Sequence, residues 1–346
     1  MTILIFILVL GTIVFVHEFG HFIFAKLMGV YVYEFALGMG PKLFGFKGKE
    51  TEYCLRLIPI GGFCSLAGEE VDESTIKVPN NRRLQDKKAW QRFLIMFFGP
   101  GFNFIFAMLV LFFVALFNGY TDYEPIISSV NKKFPAYEVG LEKGDRITKI
   151  NNKKIKTTDD VSIYLAISNN KKNTSIEVEK KDGTTKTYIL KPKKIEENGE
   201  TSYRYGISLN NKKKYGFVNS FKYTFVKTNS LFRQMFITVG SLFTGGVKVN
   251  QLAGPVGIYS IVGAQSKSGL ASLLYLMAFL SINVGFINLI PLPAFDGGHI
   301  LFIVIEKIKG SPVSSKTENM IHTIGLFLLM LLMVYITFND IIRLFK

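Results

Sequence analysis

Four stretches of the chain are apolar on every face for about the twenty residues that cross a bilayer as a helix. They are Ile3 to Met28, Phe93 to Phe117, Leu270 to Ile290 and Ile321 to Phe338. Between the first two the pattern changes period. Glu52, Cys54 and Arg56 alternate with Tyr53, Leu55 and Leu57, the two-residue repeat of a strand. Tyr31–Phe46 and Thr51–Leu66 share that composition, broken by Gly-Met-Gly-Pro and Pro-Ile-Gly-Gly, so a small sheet or β-loop is expected beside the first helix. Glu69 to Gln85 is polar and reads as a loop.

Thr121 to Asn211 is a change of medium, rich in Lys, Asn, Asp and Thr, and about the size of one small domain. Strands are expected at Pro125–Val130, Asp145–Ile150, Ser175–Glu179 and Thr185–Leu190, with a helix near Asp159–Ser168. Asp182-Gly183 marks a hairpin turn. Lys212 to Gly246 interleaves Phe217, Phe221, Phe225 and Phe232 with Lys222, Lys227 and Arg233. That spacing predicts an amphipathic helix at a membrane surface or against the bundle. Leu252 to Gly257 reads as a turn. The expected divisions are an N-terminal membrane part (1–120), an inserted domain (121–211), an amphipathic and linker region (212–269) and a C-terminal membrane part (270–346).

Composition supports a membrane protein. The 346 residues are 49% hydrophobic and 19% charged, with mean hydropathy +0.28, more apolar than soluble domains. A net charge of +15 raises nucleic acid as a partner, but no nucleic-acid motif accompanies it. Much of the charge sits beside the spans instead, as Arg82, Arg83, Lys87, Lys88 and Arg92, and as Lys307, Lys309 and Lys316. The positive-inside rule makes both segments cytoplasmic and puts 121–211 outside. The first span has no basic n-region and no A-x-A cleavage site, so it is expected to remain in the mature chain. Cys54 and Cys64 are too few for a disulfide framework.

The chemistry begins in the first span with His17-Glu18-Phe19-Gly20-His21. On a helix the two histidines are one turn apart and offset by only about 40°, so both rings reach one metal ion. Glu18, roughly 100° from His17, can hold a water at that ion. Two His ligands and a Glu base are the zinc metalloprotease arrangement, and ionisable groups inside an apolar span are usually functional. Catalytic zinc needs a third protein ligand. His322 stands alone at the start of the last span and is expected to be interfacial or packed. Asp296 is the better candidate, an isolated carboxylate in an apolar region, after the helix-breaking Pro291 and Pro293 and before Gly297-Gly298. Asn103, in the second span, could bond to a neighbouring helix, and packing or an active-site role are both open.

Two further runs carry a resemblance. Gly140-Leu141-Glu142-Lys143-Gly144-Asp145-Arg146-Ile147 with Ile150-Asn151-Asn152 resembles a PDZ domain, with Asn152 where Gly is usual. The HEFGH motif, the late Asn288-x-x-Pro291-x-Pro293-x-x-Asp296-Gly297-Gly298-His299 and a PDZ-like domain between them resemble the site-2 protease family of intramembrane metalloproteases. The match is to the bacterial PDZ-containing, RseP/RasP-like branch, and Gly99-Pro100 with Asn103, Pro59-Ile60-Gly61-Gly62 and Gly254-Pro255 fit it too.

The resemblance implies a polytopic α-helical membrane protein of about four transmembrane helices. It has a membrane-associated β-loop and one inserted extracytoplasmic PDZ-like α+β domain. It implies Zn2+ held by His17, His21 and Asp296, Glu18 as catalytic base, and Asn288, Asn283, Gly61 and Gly62 positioning the substrate. Implied partners are single-pass membrane proteins such as anti-sigma factors, or remnant signal peptides, first trimmed by a site-1-type protease, and the lipid of a bacterial cytoplasmic membrane. Two departures are a single PDZ-like domain where the RseP type has two, and Phe295 where Leu is usual before the Asp. Peptide capture and steric gating both remain open for the PDZ-like domain. The rival reading is a non-catalytic PDZ membrane scaffold, against which the intact His17, Glu18, His21 and Asp296 argue. A zinc transporter is weaker still, with only one compact site.

Overall fold

The computed structural model describes the chain except residues 70–77, 169–172, 198–199, 210–211, 248, 250–251 and 345–346. The chain opens with α1 (Thr2–Leu27), β1 (Val32–Lys47), β2 (Glu52–Leu66) and α2 (Ala89–Asn118). A β-rich stretch follows: β3 (Tyr120–Thr121), β4 (Ile127–Val130), α3 (Pro135–Glu138), β5 (Arg146–Ile150), β6 (Lys153–Lys154) and α4 (Thr158–Ser168). It continues through β7 (Thr174–Glu179), β8 (Thr185–Leu190), β9 (Lys193–Glu197), β10 (Glu200–Arg204), β11 (Ile207–Leu209) and β12 (Lys213–Lys214). Five helices close the chain: α5 (Phe217–Phe243), α6 (Pro255–Lys267), α7 (Leu270–Leu289), α8 (Asp296–Lys309) and α9 (Ser315–Leu344). Among the described residues, four helices are long and apolar enough to span a bilayer: α1, α2, α7 and α9. The chain divides into two compact units, 1–111 with 253–342, and 112–252 with 343–346.

In the first unit the two long strands make more than a hairpin. Residues 32–37 pair with 62–66 on one side (Leu37 opposite Gly62, Phe35 opposite Cys64) and with 52–55 on the other (Phe35 opposite Tyr53, Leu37 opposite Leu55). The far half of β1 then pairs with the near half of β2, Gly45 opposite Cys54 and Lys47 opposite Glu52. Two strands thus fold into a four-stranded sheet in the order 62–66, 32–37, 52–56, 42–47. The bends that allow it fall at Gly38 (φ +89°) and Gly61 (φ +88°), backbone open to glycine and strained for other residues. Arg56 grips both carboxylate oxygens of Glu34 and donates to the Gly40 carbonyl, which fixes the bend. Leu43, Phe44 and Phe46, on the distal edge, are exposed. At the base, Glu50 is clasped by Lys26 and Arg82, which hold its carboxyl at about 2. Arg82 belongs to a short 3-10 turn, Asn80–Arg82; residues 70–77 of the expected 69–85 loop lie outside the described residues.

The second unit has a four-stranded sheet ordered β6-β5-β7-β8 over a core of Ile147, Ile150, Ile176, Val178 and Leu190. Its α5 docks on α4 through Lys227–Asp159 (2.7 Å), Arg233–Asp160 (3.1 Å) and Thr157–Ser230 (3.0 Å). The helix therefore buries Ser220, Thr224 and Ser230 and leaves Phe217, Phe221 and Phe225 exposed. The expected turn at 252–257 is half helix, since Pro255 opens α6 at a position where its missing N–H costs nothing.

Candidate metal centre

The site lies in the first unit and starts from α1. A leucine- and phenylalanine-rich run leaves the backbone no partner in lipid but its own helix, and that helix stacks His17 above His21. Both are buried, 8% and 7% exposed. Small residues let α2 come close enough to seal them. A methyl at Gly20 would overlap the Phe98 carbonyl, and one at Gly99 would overlap the His21 ring. One turn beyond, Phe24 stacks on Phe98 at 3.7 Å.

The third donor comes from the α7–α8 junction. After Leu289 the chain leaves helical geometry, Ala294 takes a left-handed φ of +74°, and Asp296 becomes the first residue of α8. Gly297 rests on the Leu289 and Ile290 carbonyls, where no Cβ fits. Asp296 Oδ2 lies 3.1 Å from His17 Nε2, Asp296 Oδ1 lies 3.3 Å from His21 Nε2, and the two Nε2 atoms are 3.2 Å apart. Donors around one tetrahedral zinc ion at about 2.0–2.1 Å are about 3.3 Å apart, so the triangle has the size zinc requires. The outward nitrogens are engaged too. His21 Nδ1 donates to the Ile95 carbonyl (2.9 Å), which leaves its Nε2 lone pair for a metal. His17 Nδ1 is 3.2 Å from the Asn103 amide, and Asn103 is fully buried. Ser281 of α7 donates to the Asn103 carbonyl (2.9 Å), tying α2 to the helix that leads to Asp296.

Of the other residues singled out in the sequence, Gly62 sits against Glu18, a Cβ there lying 3.4 Å from Glu18 Cγ and 2.8 Å from the Ala36 carbonyl. Gly61 faces the Met39 side chain. The Asn283 amide donates to Phe279 within its own helix (2.8 Å), and Asn288 is half-buried in the last turn of α7. His322 is packed, as one of its two expectations had it, but it is not alone. It stacks on His299 (4.0 Å), whose Nδ1 donates to Glu318 (3.1 Å). The Glu318/His322 spacing of one helical turn was the signal available for that group.

The Peptidase family M50 description matches residues 5–332. The chain is 33% identical over 420 aligned positions to the zinc metalloprotease RasP of Bacillus licheniformis, covering 99% of each chain. It is 32% identical over 421 positions to the regulator of sigma-W protease RasP of Bacillus subtilis, again covering 99% of each. It is 40% identical over 338 positions to protein CPE1693 of Clostridium perfringens, covering 97% of each. These matches set the scaffold and transporter readings aside and make zinc the cofactor. The chain belongs to peptidase family M50, the membrane-embedded zinc metalloproteases of the site-2 type.

Proposed function

We propose that the protein cleaves peptide bonds within transmembrane segments of other membrane proteins, with His17, His21 and Asp296 as zinc ligands and Glu18 as general base. The convergence of two buried histidines from α1 and the half-buried Asp296 of α8 at tetrahedral spacing carries this reading. A zinc ion held by His17, His21 and Asp296 would supply Lewis acidity, to polarise the scissile carbonyl and to lower the pKa of a bound water towards neutrality. Glu18 takes that proton, the water oxygen bonds to the carbonyl carbon, and Glu18 returns the proton to the nitrogen as the C–N bond breaks. With His17 binding through Nε2, its Nδ1 carries a proton. Asn103 Oδ1, buried without another partner, is the acceptor that fits after a half-turn of the amide.

A helical substrate hides its carbonyls in its own hydrogen bonds. The edge strand 62–66, alongside Glu18 at Gly62, offers replacement backbone partners to an unwound segment, as in strand addition. The exposed Leu43, Phe44 and Phe46 suit a β-loop that dips into lipid. Asn288 and Asn283 lie on the helix leading to Asp296 and are proposed to steady the substrate backbone. The basic residues flanking α2 and α8 support the reading that the site faces the cytoplasm and the β-rich unit lies outside. That unit, read as PDZ-like, would select substrates already trimmed by a first protease. A Bacillus subtilis relative is named for regulating sigma-W, which favours anti-sigma-factor-type substrates, with remnant signal peptides as the second class. The test is Glu18→Gln in a reconstituted cleavage assay on a single-span substrate. Turnover should fall by roughly 10²–10⁴-fold with zinc retained; wild-type turnover would sink the reading.

A further inference from the structure

We propose that His322 of α9 is a positioning residue, holding the loop that presents Asp296. The proposal rests on Asp296 being a zinc ligand. Glu318, His322 and Gly325 recur along one face of α9 at helical spacing. The Ala294 N–H donates to His322 Nδ1 (3.1 Å), and Ala294 carries the left-handed φ of +74°. A non-glycine residue keeps that conformation only when its surroundings hold it, and here the bond to His322 of α9 is what holds it. Beside it, Gly325 receives Pro293, where a methyl would overlap the proline ring.

The grip continues after Asp296. A Cβ at Gly298 would lie 3.1 Å from His322 Cε1. His299 stacks on His322 with planes 16° apart and is anchored by Glu318. The ligand is thus bracketed on both sides by contacts to one helix. The His322 Nε2 atom is buried without a hydrogen-bond partner, so the ring is kept at some cost for the one bond it makes.

His299, Glu318 and His322 also bring potential metal donors within 4.8 Å of one another. Their geometry does not suit an ion. The two imidazoles are stacked nearly parallel, so their in-plane lone pairs run side by side rather than converging. The Nδ1 pair of His322 is already taken by Ala294.

Zinc affinity of the purified full-length chain, measured by competition with a chelator, tests the proposal. His322→Leu keeps bulk but removes the acceptor and should weaken zinc binding about 10–100-fold. His322→Asn, which keeps an acceptor at the Nδ1 position, should recover most of that loss. Adding Ala294→Gly to His322→Leu should also recover affinity, because glycine takes the left-handed turn unaided. A ring that only packs would show neither rescue, and equal losses in the Leu and Asn variants with no effect of Ala294→Gly would overturn the proposal. Should the Leu variant not fold, His322→Gln, with its acceptor displaced by one methylene, gives the same comparison with His322→Asn. Two zinc ions per wild-type chain, falling to one in Glu318→Gln, would overturn it in favour of a second metal site. Asp296→Ala separates the two readings. If it leaves zinc affinity unchanged, the ligand assignment fails and this proposal with it; if it loses zinc while His322→Leu does not, this proposal alone fails.

Discussion

The first and last spanning helices are near twins in hydropathy and opposites in use. In α1, 28% of the apolar window is buried in the protein; in α9, 6% is. Both carry ionisable residues one turn apart, His17 and His21 in one, Glu318 and His322 in the other. In α1 the pair faces a third donor and sits under α2. In α9 the pair touches the loop before Asp296 and the first turns of α8, while Phe327, Leu328, Met330, Leu331 and Val334 face outwards. Hydropathy therefore reports that a helix can live in lipid and is silent on how much protein surrounds it. Small residues decide that. Gly20 and Gly99 let two backbones approach around the histidines, whereas on α9 such approaches sit towards its ends, Gly325 against Pro293 and Gly254 against Ile336 and Asp340.

The comparison can be broken most sharply at Gly99. Gly99→Leu puts a side chain where the His21 ring lies, so zinc affinity should drop by more than tenfold and the fold should lose about 1–3 kcal/mol. Zinc titration and a thermal melt in detergent would read the two effects. Next comes Asn103→Leu, which keeps the branching at Cγ but is bulkier and has no acceptor for His17. Zinc affinity should fall about 10–100-fold. Asn103→Asp should bind more tightly than the Leu variant, and equal affinities would show that the amide does not orient His17.

A smaller effect is expected where α1 meets its charged anchor. Glu50 has its carboxyl depressed to about 2 by Arg82 and Lys26. A carboxylate depressed in the folded state stabilises above its unfolded value, about 4.3, and loses that contribution as pH falls towards 2. The melting temperatures of wild type and Glu50→Gln should therefore differ at pH 7 and converge between pH 5 and pH 2. The smallest change belongs to the outward face of α9. Leu328→Ala should leave turnover unaltered and stability within about 0.5 kcal/mol. A large loss of stability in a melt would mean that this face is covered by protein.

The spans, the strand-like region and the elements of the β-rich unit could be read from the chain because each has one dominant period. The four expected strands of that unit appear within two residues of their expected starts, and Asp182-Gly183 does turn between β7 and β8. Asp296 was legible for an energetic reason, since a lone carboxylate among apolar residues asks for a cation. Three features were not. The doubling of β1 and β2 into four strands depends on two glycine bends, and alternation alone does not say that one residue faces a partner on each side. Helix α6 mixes Gly, Ser, Gln and Lys with its apolar residues, which blurs its period. The bonds of Asn103 and His322 join residues 86 and 28 positions apart, beyond any local pattern.

The separation of the donors along the chain also sets a schedule. His17 and His21 precede the whole β-rich unit in the chain, and Asp296 follows it. At synthesis rates of about 5–20 residues per second, a nascent chain carries two thirds of a donor set for some tens of seconds. On the proposed reading, it cannot yet cut the helices around it during that interval. On the proposed ligand set, a chain broken off before residue 296 stays inert, so completeness is checked by geometry.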